Sequence, residues 1–109
     1  MKKDWTPKNP LFKEEIIEKL KRQFFMKHIG LYLDRIEPGF VDAHLKIEEH
    51  HLQQNLFVHG GVISTLCDVT AGFAAFTLVN EGEGTVTADL KVSYYHPGKG
   101  DILYTRGWV

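Results

Sequence analysis

Residues 62–79 form a run of apolar and small residues in which Asp68 is the only charge, and His59-Gly60-Gly61 stands directly before it. Apolar residues fall on every side of that run. It therefore reads as a helix, about residues 60–79, which the rest of the chain must enclose. A lone carboxylate in such a segment is expensive to bury. Chains keep one where it is paired or where its chemistry is used. The two glycines fall where the helix begins, so free backbone N–H groups point there towards whatever binds. A carboxylate within a helix and an amide-rich helix start are the two parts that an acyl-transfer site needs. The run approaches membrane-spanning length, but Asp68 and the interspersed Thr and Gly residues favour a buried helix over a span.

The flanking sequence supplies the wrapping. Asn9-Pro10 reads as a cap and first residue of an amino-terminal helix, about residues 9–28. Phe12, Ile16, Leu20 and Phe24 form its apolar face, and Glu15–Lys19 and Glu18–Arg22 are i,i+4 pairs on the wet side. Gly30 is its stop. A strand from Leu31 to Ile36 then leads into Glu37-Pro38-Gly39-Phe40, which suits a type II turn. The return strand alternates: Val41, Ala43, Leu45 and Ile47 face one way, Asp42, His44, Lys46 and Glu48 the other. After the loop Asn80-Glu81-Gly82-Glu83-Gly84, residues 85–96 alternate as a long strand. Pro97-Gly98-Lys99-Gly100 turns the chain into a last strand from Ile102. The order predicts an α+β architecture, an antiparallel sheet wrapped around one enclosed helix, as a single domain over residues 1–109.

Composition narrows the function. Thirteen basic against fourteen acidic residues give a net charge of −1, without the basic field that nucleic-acid binding requires. Cys67 is the only cysteine, so no intrachain disulfide forms and a reducing compartment fits. Met1-Lys2-Lys3-Asp4-Trp5 lacks the apolar core of a secretion signal. The expectation is a cytoplasmic protein with no membrane and no nucleic-acid partner.

His59-Gly60-Gly61-Val62-Ile63-Ser64-Thr65-Leu66-Cys67-Asp68 resembles the hot-dog-fold thioesterases of the phenylacetate-pathway (PaaI-like) type, in which a His-Gly-Gly turn opens a helix carrying an acid. Residues 85–97, ending Tyr94-Tyr95-His96-Pro97, resemble the long strand of that family. The likeness runs from about Leu31 to the last residue. It implies a hot-dog fold, hydrolysis of an acyl- or aryl-coenzyme A thioester, a homodimer or dimer of dimers, and a site between two subunits. It also implies that Asp68 activates water or attacks the thioester, and that the Gly60 N–H holds the oxyanion. His59 then supports the turn, and Thr87 lies near the attacking water. Coenzyme A belongs to the substrate, so no cofactor and no metal is called for. Relatives often have Asn and Gly where this chain has Gln53 and Leu56. Gln53 and Asn55 are thus the two candidates for the polar contact beside the carbonyl, with Gly61 and Ser64 completing the substrate-binding set. The family's fold also closes with two further strands that this sequence lacks, which predicts either a shortened sheet or cover from another subunit.

The chemistry of these residue types agrees with that likeness. Amides at a helix start stabilise an oxyanion, and Gly allows close approach. Apolar surroundings would strengthen Asp68 as a general base, and direct attack through a mixed anhydride is the other route. The plainer alternatives are glycines that serve packing alone and an Asp68 bonded locally to Ser64 or Thr65. Cys67 has no His partner in sequence and reads as a small buried side chain. His50 and His51 read as surface residues without a zinc pattern. Lys91, Lys99 and Arg106 are candidates for the coenzyme A phosphates, and Tyr94, Tyr95 and Trp108 for a pocket wall. A non-catalytic acyl-CoA binding module and a structural subunit are the rival functions.

Overall fold

The computed structural model describes residues 4–109. The first three residues of the polar amino terminus, Met1 to Trp5, lie outside the described residues. In chain order the elements are α1 (Phe12–Lys21), α2 (Phe24–Ile29), β1 (Leu31–Glu37), β2 (Phe40–Lys46), a single 3-10 turn (Glu49–His51), α3 (Gly60–Phe76) and β3 (Ile102–Trp108). The strands form one antiparallel sheet in the order β1-β2-β3.

The amino-terminal helix expected over residues 9–28 is two helices. Gln23 leaves the helical basin at φ −88°, ψ 86°, so Phe24 drops off the face that Ile16 buries. Ile16 is 0% exposed and Phe24 75%. The break lets α2 turn Met26 and Ile29 into a cluster with Leu31, Ala43, Leu45 and Leu66, while Ile16 joins Val41, Phe73, Ala74 and Phe76. Asn9 and Pro10 are not the cap and first residue of the first helix: α1 begins at Phe12 with Leu11 as its cap, and Asn9 stands before it, accepting from the Leu11 N–H at 3.0 Å and donating to Glu15 at 2.7 Å. The expected ion pairs are not the ones formed. Glu18 meets Lys21 at 3.0 Å, and Lys19 lies 4.9 Å from the centre of the Phe76 ring. Gly30 ends α2 in the left-handed region, φ 85°, as its freedom from a Cβ permits.

The β1–β2 hairpin follows the expected pattern. Gly39 has φ 71°, the position of a type II turn that needs it. The register runs from Leu31↔Leu45 to Glu37↔Phe40, with a bulge between Leu33 and Arg35. Val41, Ala43 and Leu45 are buried. Thr77, the cap of α3, ties the hairpin to the helix: its hydroxyl accepts from the Gly39 N–H at 2.6 Å and donates to the Ala74 carbonyl at 2.7 Å.

The central helix packs on the sheet through Leu66, Thr70, Phe73, Ala74 and Phe76. Its approach to β3 is close: a Cβ on Gly107 would stand 2.6 Å from the Thr70 carbonyl carbon. The opposite face is not enclosed; Gly61, Cys67 and Ala71 are exposed along it. The expected long strand over residues 85–96 pairs with none of the three strands, and β3 pairs instead with β2 of the hairpin. Val86 is 95% exposed. The segment runs extended beside α3 until Gly98 bridges Val58. Alternation makes a segment suited to a ladder, but a ladder also needs a neighbouring strand. The sheet is therefore not closed around the helix. Among the described residues no helix is long and apolar enough to cross a membrane.

Candidate active site

The start of α3 is built by His59. As N-cap it has φ −58°, ψ 134°, and its ring Nδ1 accepts from the Gly61 N–H at 2.9 Å. Its carbonyl takes the N–H groups of Val62 and Ile63. The Gly60 N–H bonds to nothing among the described residues, so one amide stays free at the positive end of the helix dipole. The turn is braced from behind. The Tyr94 hydroxyl donates to the Gly60 carbonyl at 2.9 Å, and the hydroxyls of Thr65 and Ser64 donate to the Gly61 carbonyl at 2.7 and 3.2 Å. The Tyr94 brace was not legible in the sequence, where Tyr94 stood only as a pocket aromatic.

Asp68 lies two turns further along. It is half-buried rather than sealed in apolar surroundings, because the open sheet leaves that face of α3 uncovered. The Thr87 hydroxyl donates to its Oδ1 at 2.6 Å. Among the described residues the acid receives no hydrogen bond at Oδ2. Its partner is thus the extended segment, not Ser64 or Thr65. The two residues line a cavity of about 440 Å³ between α2, α3 and residues 85–87.

Gly60 faces elsewhere, into a groove with Gln53, Ile63 and Tyr94. Eight residues of helix separate Gly60 from Asp68 by about 12 Å and about 80° around the axis. Within one chain the acid and the free amide are therefore not brought together. Gln53 is half-buried at the edge of the Gly60 groove, and its side-chain carbonyl is taken by the Asn55 N–H. Asn55 itself is exposed. Leu56 closes that turn at φ 66°, the left-handed region where relatives often place Gly.

The remaining candidates sort by their contacts. His51 is not a surface residue: it is 1% exposed, with Nδ1 accepting from the Glu48 N–H at 2.8 Å and Nε2 held 2.7 Å from the Ile29 carbonyl. With Nδ1 accepting, Nε2 is the nitrogen that donates to that carbonyl. No sequence signal marked this burial, since the Ile29 carbonyl is 22 residues away along the chain. Cys67 is exposed, not buried, yet the protein mass beside it pushes its thiol pKa up, which disfavours the nucleophilic thiolate. Arg106 is committed to Asp42 at 2.7 and 3.2 Å, and that contact raises its pKa further. Lys91 and Lys99 are exposed. Among the described residues no three His, Cys, Asp or Glu side chains are placed to hold a metal ion.

A central helix carrying an acid, opened by a capped glycine turn and laid on an antiparallel sheet, defines a hot-dog-type α+β protein. Residues 56–109 match the Thioesterase superfamily. A thioesterase family protein from Silicibacter pomeroyi superposes with a TM-score of 0.85 at 29% identity, over 87% of this chain and 70% of that one. The phenylacetic acid degradation protein PaaI of Thermus thermophilus, in a mutant form, gives 0.67 at 26% identity over 77% and 70% of the chains. SSO2140 of Saccharolobus solfataricus, named as a candidate esterase, is 31% identical over 84 residues, 77% of this chain. The chain spans 58% of that relative's length. The chain thus has the hot-dog fold and closely resembles PaaI-type members of the thioesterase superfamily, which its residues 56–109 match.

Proposed function

We propose that this protein hydrolyses an acyl- or aryl-coenzyme A thioester at a site shared by two copies of the chain. The observation that carries the reading is the free Gly60 N–H at a helix start whose next amide His59 has already taken. The likeness to the thioesterase superfamily and the paired Asp68–Thr87 support it. Because Gly60 and Asp68 of one chain face different grooves, the acid of one copy works with the amide of its neighbour. A homodimer is the smallest assembly that does this, and a dimer of dimers contains it.

In the water route, Oδ2 of Asp68 takes a proton as water attacks the thioester carbonyl, with Oδ1 held by Thr87. The developing oxyanion receives the Gly60 N–H, where a fixed dipole is worth most. Collapse expels the coenzyme A thiolate, which recovers the proton from Asp68. In the nucleophile route the carboxylate attacks the carbonyl carbon, the C–S bond breaks to expel the coenzyme A thiolate, and water then cleaves the resulting anhydride to free acid and carboxylate. Gln53 and Asn55 position the substrate beside the carbonyl, with Gly61 and Ser64 shaping the turn. The protein works in the cytoplasm as one domain.

The test is release of free thiol from a panel of short, medium and aryl acyl-CoAs. Asp68→Asn is expected to abolish hydrolysis. Gly60→Pro removes the N–H at a position whose backbone accepts proline, and its Cβ would stand 3.4 Å from the Tyr94 ring, in ordinary contact. It is expected to lower the rate on the order of a hundredfold. Hydrolysis that survives Asp68→Asn rejects the assignment, and binding of acyl-CoA without turnover supports a non-catalytic module in its place.

A further inference from the structure

We propose that Tyr94 is a positioning residue for the oxyanion amide. Its hydroxyl clamps Gly60 from outside α3 and so holds the free Gly60 N–H in one direction before a substrate arrives. The proposal rests on the reading of Gly60 given under Proposed function.

A helix that opens on two glycines has a loose first turn. Helix ends fray, and fixing a glycine backbone costs more entropy than fixing any other. The residues on either side of Gly60 are held. Upstream, the His59 N–H bonds to the His51 carbonyl at 2.8 Å, and the His59 carbonyl takes the N–H groups of Val62 and Ile63 at 2.9 and 3.4 Å. Downstream, the Gly61 N–H is on the His59 ring and the Gly61 carbonyl takes the hydroxyls of Ser64 and Thr65. Between these fixed points Gly60 has two torsions and no side chain to limit them. Rotation about its N–Cα bond tilts the peptide plane that carries the free N–H against the rest of the helix.

Tyr94 supplies the restraint from outside the helix. Its hydroxyl donates to the Gly60 carbonyl at 2.9 Å. Its ring edge lies on the glycine: a Cβ built on Gly60 would stand 3.4 Å from Cε1, Cζ and the hydroxyl oxygen. The residue is 54% exposed, and the part turned onto the helix start is this hydroxyl edge. Gly60 and Tyr94 line one groove of about 330 Å³, so the clamp and the free amide share a surface. Four residues on, Gly98 bridges Val58, which anchors the segment that carries the tyrosine. An amide fixed before the reaction needs no reorganisation as charge develops on the oxyanion, and that advantage is realised in the transition state rather than in ground-state binding. Loss of the clamp therefore acts on kcat, whereas loss of a pocket wall acts on KM.

Tyr94→Phe deletes the hydroxyl and keeps the ring. Thiol release from acyl-CoA should then show kcat about three- to tenfold lower, the worth of one modest hydrogen bond, at a KM within about twofold of wild type. Adding Gly60→Ala to Tyr94→Phe should restore part of the lost kcat, because alanine narrows the same two torsions. The backbone admits it, since Gly60 is not among the glycines with positive φ. A tyrosine that served packing alone would give no such rescue. Amide relaxation by NMR on the full chain reads the clamp without turnover: the order parameter of the Gly60 N–H should fall in Tyr94→Phe, and that of Gly107 in β3 should not change. An unchanged kcat, a raised KM in its place, or a Gly60 order parameter indifferent to the hydroxyl overturns the proposal. If the wild-type chain releases no thiol, the hydrolytic reading fails, and the relaxation measurement still decides whether Tyr94 orders Gly60.

Discussion

Leu56 occupies a left-handed backbone conformation, φ 66°, with its side chain 73% exposed. For a residue with a Cβ that conformation costs about 1–2 kcal/mol, and the exposed side chain recovers little by burial. Glycine removes the strain but adds about 0.5–1 kcal/mol of unfolded-state entropy. Leu56→Gly should therefore stabilise the fold by about 0.5–1 kcal/mol, read as a higher urea midpoint at unchanged slope. Cys67 makes the opposite kind of point, since accessibility alone does not make a nucleophile. Its raised pKa leaves less thiolate at any given pH than a free cysteine has. Iodoacetamide at a pH of about 8 should alkylate it more slowly than a small thiol, and Cys67→Ala should leave thioester hydrolysis unchanged. Fast alkylation with loss of activity in Cys67→Ala would return Cys67 to the site.

At the scale of elements, the contact between α3 and β3 is set by the absence of a side chain. A Cβ at Gly107 meets the backbone of Thr70 and Ala71 at 2.6–2.7 Å, and neither strand nor helix can yield without breaking its own hydrogen bonds. Gly107→Ala should destabilise the protein by about 2–3 kcal/mol. A Cβ at Gly72, further along the same helix, would meet nothing within 4 Å. Gly72→Ala should stabilise by up to about 1 kcal/mol through helix propensity alone. Thermal melts of the two variants, run together, separate a packing requirement from a conformational one. The extended residues 85–96 show the complementary case. They hold Thr87 on Asp68 and Tyr94 on Gly60 without any ladder of their own, so their side chains fix the helix while their backbone waits for a partner.

For the whole molecule, the separation of Asp68 from its own Gly60 gives a sharp expectation about assembly. Asp68→Asn and Gly60→Pro chains should each be nearly inactive. Mixed and allowed to exchange subunits, they should recover roughly a quarter of wild-type activity, because half the dimers are mixed and each holds one intact site. Recovery shows that acid and amide come from different copies. No recovery, with exchange verified by mass, places both in one chain and requires α3 to rearrange.

The sequence by itself determined the elements whose cause is local. The hairpin, its Gly39 turn, the Gly30 stop and the glycine start of α3 follow from alternation and backbone freedom, which neighbouring residues encode. The family likeness set Thr87 only near the attacking water, and its hydrogen bond to Asp68 came from the folded chain. Only the tertiary structure decided the rest. The break at Gln23 depends on where Met26 and Ile29 find their core, and the burial of His51 on a carbonyl that only the folded chain brings near. The separation of Asp68 from Gly60 is helix geometry applied to two grooves that only the packed chain defines. The failure of residues 85–96 to join the sheet has the same origin: a strand's alternation is written in its own residues, whereas its hydrogen-bond partner is a property of whatever lies beside it.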